Sequence, residues 1–338
     1  MIEMWDATFA AQDPTIAEHI ERGEGTVAFE RMHQVLDAVW AECFRVLRPG
    51  GFACINIGDA TRSIGGGFRL YTNHARIVAR CETLGFQSLP TVLWRKQTNA
   101  PNKFMGSGML PAGAYVTLEH EHVLILRKGG KRVFRPEEKE RRMKSAFFWE
   151  ERNTWFSDIW DFKGVQQRLG PDDARARSGA FRFELPFRLI SMYSMQEDLV
   201  LDPFVGTGTT LAAAIVCGRS SIGVELDPAL TPAVRATIET VAPRGAGGFG
   251  EAGFNERQLR RLRDHAEFVR TFRETRGRDP GHTNLTYGVP VVTRHERALV
   301  LLGVTGVRLV AERDDGGVEW EASHDVLHDK GDPQPELF

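Results

Sequence analysis

Apolar residues recur at spacings of three and four between residues 26 and 47. Phe29, Met32, Val35, Leu36, Val39, Trp40, Cys43, Phe44 and Leu47 fall on one face, which predicts an amphipathic helix. Arg48-Pro49-Gly50-Gly51 stops it, because a proline followed by two glycines does not continue a helix. The apolar run Phe52–Ile57, closed by Gly58-Asp59, has the pattern of a buried parallel strand. A helix over about 71–83, a strand over about 88–95 and a strand over Val123–Arg127 are predicted next. Between about 96 and 170 the periodicity fades into Asn, Gly, Pro, basic residues and isolated aromatics. Periodicity returns at Leu185–Tyr193 and runs into a strand at Leu199-Val200-Leu201. A glycine loop, an Ala-rich helix over about 209–218 and a strand at Ser221–Val224 follow. Pro243-Arg-Gly-Ala-Gly-Gly-Phe-Gly250 reads as a linker to a charged helix (about 255–273) and a small β-rich tail (about 288–322).

Strands alternating with helices predict an α/β fold with a parallel, doubly wound sheet. Composition fits: 338 residues, 42% hydrophobic and 26% charged, are those of a globular chain rather than a disordered one. The net charge of −2 gives no global attraction to nucleic acid, so any nucleic-acid surface must come from local clustering. One such cluster exists, since residues 127–144 hold nine Lys/Arg against three Glu. Cys43, Cys54, Cys81 and Cys217 form no C-x-x-C pair and read as free thiols of a reducing cytosol. His120-Glu121-His122 is not H-E-x-x-H and reads as structural, so no metal site is expected. No signal peptide opens the chain and no apolar run approaches the roughly 20 residues of a membrane span, which gives a cytoplasmic expectation without membrane contact.

The densest constellation is Leu199-Val-Leu-Asp-Pro-Phe-Val-Gly-Thr-Gly-Thr-Thr210, then a helix, then Ser221-Ile-Gly-Val-Glu-Leu-Asp-Pro228. A strand delivers Asp202 to its carboxyl end, where open α/β sheets bind ligands. Gly206 and Gly208 allow close backbone approach, and Thr209 and Thr210 begin a helix whose free N–H groups favour an anion. Glu225, at the end of the next strand, is placed to accept hydrogen bonds from two ribose hydroxyls. G-x-x-x-x-G-K-[ST] is absent, and Ala212–Ala214 stand where the dinucleotide fingerprint would need its third glycine.

The whole phrase resembles the cofactor loop D-P-F-x-G-x-G-T-T of the amino-methylating DNA methyltransferases. The resemblance implies a Rossmann-like methyltransferase sheet, S-adenosylmethionine as methyl donor, and double-stranded DNA as substrate. It implies cofactor contacts from Asp202, Pro203, Phe204, Gly206, Gly208, Thr209, Thr210, Glu225 and Asp227. Phe181–Tyr193 resembles the family segment that closes over the methionine end. The family has Phe-Pro where this chain has Phe181-Arg182, so only Phe181 is carried over, as a pocket wall. Arg45-Val-Leu-Arg-Pro-Gly-Gly51 also resembles the family's helix-to-strand step.

The order of parts resembles the permuted β-type arrangement. It implies a target-base half at 1–95, an inserted DNA-recognition region at 96–170, a cofactor half at 171–240, and a linker with a C-terminal α+β appendage at 241–338. In the insert, Arg95, Lys96, Asn99, Asn102 and Lys103 combine cations with amides that suit phosphates and base edges. Arg127, Lys128, Lys131 and Arg132 suit phosphates. The family's catalytic [DNS]-P-P-[YFW] tetrapeptide is absent from the sequence, so no catalytic residue is assigned. Met1–Asp6 resembles the segment that follows it, giving the expectation that the native chain starts upstream. Two alternatives stay open: a non-catalytic subunit or remnant that needs a partner's catalytic loop, and a methyltransferase acting on RNA. The target base, N4 of cytosine or N6 of adenine, also stays open. A restriction endonuclease of the same system is an expected partner.

Overall fold

The strand expected at Phe52–Ile57 forms one edge of a four-stranded sheet in a computed structural model that describes residues 2–96, 105–106, 109–164, 181–241 and 254–328. The chain divides into two units, one of residues 1–133 with 157–181 and one of residues 134–156 with 182–338. The segment 96–170 is thereby shared between them.

Unit one contains α1 (Ile2–Gln12), α2 (Thr15–Glu21), α3 (Gly25–Val46), β1 (Phe52–Ile57), the hairpin β2 (Ala60–Ile64) and β3 (Gly67–Tyr71), α4 (Asn73–Leu84) and β4 (Phe86–Arg95). The two-residue strands β5 (Met105–Gly106) and β6 (Ala114–Tyr115), then β7 (His120–Lys128) and β8 (Ile159–Asp161), complete it. The order is β1-β7-β4-β8. β7 runs antiparallel to both β1 and β4, which are therefore parallel to one another, as the intervening α4 requires. The sheet is thus mixed rather than all parallel. No crossover helix separates β4 from β7 among the described residues, so β7 returns antiparallel and fills the place between β1 and β4.

The stripe on α3 does what its spacing predicts. Trp40 is buried with Ile77 and Cys81 of α4, Phe86 of β4, and Leu124 and Leu126 of β7, flanked by Leu36, Val39, Phe44 and Leu47. α4 ends at Gly85 with φ +103°, where a side chain would be strained and its Cβ would stand 3.1 Å from the Phe44 ring.

Unit two contains α5 (Pro136–Lys144), α6 (Trp149–Trp155), α7 (Glu184–Tyr193), β9 (Leu199–Asp202), α8 (Thr209–Val216), β10 (Ser220–Gly223), α9 (Thr231–Glu239) and α10 (Phe254–Arg276). The short pair β11 (His282–Thr283) and β12 (Pro290–Val291) and the long hairpin β13 (Leu302–Glu312) and β14 (Val318–Val326) follow. β9 and β10 pair in parallel around α8, a β-α-β unit. Ala212, Ala213, Ala214, Ile215 and Val216 of α8 are buried with Phe187, Ile190, Trp155 and Ile238. Val200 packs on this core, whereas its neighbours Leu199 and Leu201 face the other way and stay exposed, as do Ile222 and Val224. Among the described residues no helix is long and apolar enough to cross a membrane.

Candidate functional site

The loop between β9 and α8 is shaped by its two glycines. Gly206 has φ +55° and Gly208 φ +88°, conformations in which a side chain is strained. Asp202 ends β9, and its Oδ1 accepts the Phe204 N–H at 3.0 Å, turning the chain out of the strand through Pro203. The Val205 N–H donates to the Val224 carbonyl at 3.0 Å, which carries the pairing of the two strands past their ends. Val205 is buried, and Gly223 opposite it has no room for a Cβ, which would stand 2.6 Å from Val205 Cγ2. Gly208 caps α8 in the left-handed conformation, with Thr209 buried and Thr210 half-buried in the first turn.

Glu225 lies just past β10 and bridges the two strand ends. Its Oε2 accepts the Gly206 N–H at 2.9 Å and its Oε1 accepts the Asp227 N–H at 2.9 Å. The carboxylate is half-buried, and each oxygen keeps a lone pair beyond these bonds. Asp227 in turn accepts the Ala229 N–H at 2.9 Å and starts the short 3-10 turn Pro228–Leu230. Phe204 is 44% exposed at the loop's tip. The sequence-predicted residues from Asp202 to Asp227 are therefore brought together at the carboxyl ends of two adjacent parallel strands. Phe181 is half-buried in the coil before α7 and closes unit one.

The DNA methylase family model, that of the N6 and N4 methylases, matches residues 13–234 of this chain. The chain belongs to this family. It is 47% identical over 304 residues to the type II methyltransferase M.MthZI of Methanothermobacter thermautotrophicus, covering 89% of this chain and 81% of that protein. It is 48% identical over 249 residues to the type II methyltransferase M.MjaI of Methanocaldococcus jannaschii, covering 70% of this chain and 81% of that protein. Among solved structures, a protein of Thermus thermophilus assigned as a DNA modification methylase and complexed with S-adenosyl-L-methionine is similar, with a TM-score of 0.52 and 36% identity. That likeness covers 63% of this chain and 79% of the other. The α/β methyltransferase fold expected from the sequence is the fold observed.

The basic residues of the methylase fall at two ends of the unit-one sheet. Arg95 ends β4 and pairs with Asp161 at the end of β8, while Lys96 pairs with Glu121 and lies 4.6 Å over the Trp94 ring. Both stand at the carboxyl ends of β1 and β4, the edge where open α/β sheets take ligands. Arg127 and Lys128 are at the opposite end. Arg127 donates to the Gly129 carbonyl at 2.9 Å and to Gln87 at 2.7 Å. Lys128 Nζ donates to the Phe44 carbonyl at 2.6 Å and lies 4.7 Å over the Phe44 ring, closing the C-terminal turn of α3. Lys131 is exposed, and Arg132 is half-buried with its backbone against Gly50. Asn99, Asn102 and Lys103 lie outside the described residues.

Two residues at the carboxyl edge escape sequence reasoning. Asp59 follows β1 and His74 opens α4, and both meet His122 of β7. The spacing of three residues so far apart in sequence carries no signal of their meeting. The C-terminal appendage holds a buried polar turn at Asn284-Leu-Thr-Tyr-Gly288. The buried Asn284 amide donates to the Glu296 and Leu299 carbonyls and accepts from the Thr286 and Tyr287 N–H groups, pinning the turn between β11 and β12.

Proposed function

We propose that this methylase transfers a methyl group from S-adenosylmethionine to an exocyclic amine of duplex DNA, N4 of cytosine or N6 of adenine, within a specific site. The observation that carries this reading is Glu225. Its carboxylate accepts the Gly206 N–H of the glycine loop on one oxygen and the Asp227 N–H on the other, and each oxygen keeps a lone pair for a pair of adjacent hydroxyls, which is what a ribose offers. The N–H groups opening α8 at Thr209 and Thr210 favour the carboxylate of the methionine moiety. Phe204 supplies an apolar wall, with Asp202, Pro203 and Asp227 fixing the course of the loop. The sulfonium of S-adenosylmethionine supplies an electrophilic methyl group when bound. Arg95 and Lys96 are placed to exchange their carboxylate partners for backbone phosphates. Protection of host DNA beside a restriction endonuclease in the cytoplasm is the setting this activity suits.

A second reading rests on a specific observation. The sequence contains no [DNS]-P-P-[YFW], and the β9 edge opposite β10 pairs with no described strand. An open edge suits an added strand. In this reading transfer requires a catalytic segment not contained in these 338 residues, from the same polypeptide or from a partner.

The test is transfer of labelled methyl from S-adenosylmethionine to mixed-sequence duplex DNA, with cofactor binding measured in parallel. Labelled N4-methylcytosine or N6-methyladenine supports the first reading. Cofactor binding without DNA labelling supports the second. Absence of cofactor binding overturns both.

A further inference from the structure

Asp59, His74 and His122 come from the end of β1, the start of α4 and the start of β7, and one ligand atom of each lies within 4.8 Å of the others. His74 Nδ1 is 2.9 Å from Asp59 Oδ1 and 2.7 Å from Oδ2, and His122 Nε2 is 4.0 Å from the same Oδ2. The imidazoles stack with centroids 3.8 Å apart and planes 15° apart. The Asp59 side chain is only 8% exposed and that of His122 14%. We propose that these three side chains form a binding site for a divalent transition metal of the zinc class, at the carboxyl edge of the unit-one sheet.

A hydrogen-bonded Asp–His pair would account for His74 but not for a second imidazole turned toward the same carboxylate oxygen at 4.0 Å, too far for a hydrogen bond. Bonds of 2.0–2.2 Å around a tetrahedral ion set ligand atoms about 3.3 Å apart. The Asp59–His74 pair would open, and the Asp59–His122 pair close, by about 0.6–0.7 Å each, with one ring tilting about its Cβ–Cγ bond. The surrounding frame is fixed. Asp59 Oδ1 also accepts the His74 backbone N–H at 3.1 Å, and Asn73 donates to the Gly58 carbonyl at 2.8 Å while meeting His33 Nε2 at 3.1 Å. Two imidazoles with one carboxylate select zinc, cobalt, nickel or iron over magnesium and calcium. Three protein ligands leave a position open to water or to a phosphate oxygen.

The ion replaces the hydrogen between His74 Nδ1 and Asp59, and the neutral ring then carries its one proton on Nε2. The experiment uses the full chain, without a polyhistidine tag and stripped by chelator, titrated with Co2+ and then with Zn2+. The expected result is one Co2+ per chain with visible d–d absorption, bleached when Zn2+ displaces it. His122→Gln and Asp59→Asn should each weaken uptake by at least about 100-fold, the upper end of what outer-shell partners contribute. His120→Gln, on the exposed neighbour, should leave it unchanged. Wild-type protein that takes up no Co2+, or variants with intact circular dichroism and undiminished uptake, would overturn the proposal.

Discussion

The carboxylate of Glu225 holds the backbone of Gly206, nineteen positions before it, at 2.9 Å. The residue proposed to hold the cofactor ribose therefore also sets the shape of the loop proposed to hold the methionine moiety. Replacing it with glutamine puts an amide NH2 against one of two backbone N–H donors. Glu225→Gln should lose a charge-assisted bond as well as the ribose contacts, weakening S-adenosylmethionine binding by about 2 kcal/mol, roughly 30-fold. Calorimetric titration checks this. An unchanged dissociation constant would remove Glu225 from the cofactor site.

Gly208 offers a second probe of the same loop. Its φ of +88° disfavours any side chain, and an added Cβ would meet Val234 Cγ1 at 3.2 Å. Gly208→Ala is expected to lower unfolding stability by about 1–2 kcal/mol in urea titration. It should also misplace the first N–H groups of α8 and weaken cofactor binding. Gly129→Ala is the control for strain without contact, since Gly129 has φ +65° and an added Cβ would meet no atom of the described residues within 4 Å. Its loss of stability should come without loss of cofactor.

The loop was legible because its chemistry is local: strand, glycines, helix start and acidic partner follow one another between Leu199 and Pro228, each with its own sequence signature. The α3 stripe and the strands β1, β9 and β10 were legible for the same reason. α5 and α6 were not. α5 carries almost no apolar stripe, and it is held at its start by the buried Glu138, whose carboxylate accepts the Arg135 N–H at 2.9 Å. The β2–β3 hairpin follows Asp59 without any alternation strong enough to separate it from a loop. Charge clusters mislead in a different way. Lys128 reads as a phosphate contact, yet its Nζ sits on the last carbonyls of α3, a contact set by the sheet register and not by neighbours in sequence. The meeting of Asp59, His74 and His122 is equally tertiary.

His33 gives a pH dependence with a definite sign. It is buried, its Nε2 faces Asn73 Oδ1 at 3.1 Å, and its Nδ1 has no hydrogen-bond partner among the described residues. Burial depresses its pKa below the ordinary 6.5, so the unfolded chain binds the proton more readily than the folded one. Above the unfolded value both states are neutral and His33 is silent. As pH falls through it, the unfolded state gains a proton first and stability drops. The urea midpoint should therefore fall between about pH 7.5 and pH 5.5, an interval of about one unit either side of the ordinary histidine value. His33→Gln should flatten that slope. An equal slope in the variant would assign the pH response to other groups.

Arg261 and Glu151 tie α10 to α6 through a buried two-pronged ion pair, with Nε–Oε1 at 2.5 Å and Nη2–Oε2 at 2.8 Å. Arg261 is 6% exposed and Glu151 9%, and Arg261 lies 5.4 Å from the centroid of the Trp155 ring. Glu151 also accepts the Phe148 N–H at 2.9 Å, so removing its charge strands a buried cation and loosens the start of α6 together. Glu151→Ala should cost about 3–5 kcal/mol, the range for breaking a buried pair from one side. The exposed pair of Arg263 with Glu256 on the same helix is the comparison, and Arg263→Ala should cost less than about 1 kcal/mol. Urea denaturation of the two variants separates these outcomes. A small loss at Glu151 would mean that water reaches Arg261 once its partner is gone. The α6–α10 contact would then rest on the packing of Phe148 against His265, whose rings stack at 4.0 Å, rather than on charge.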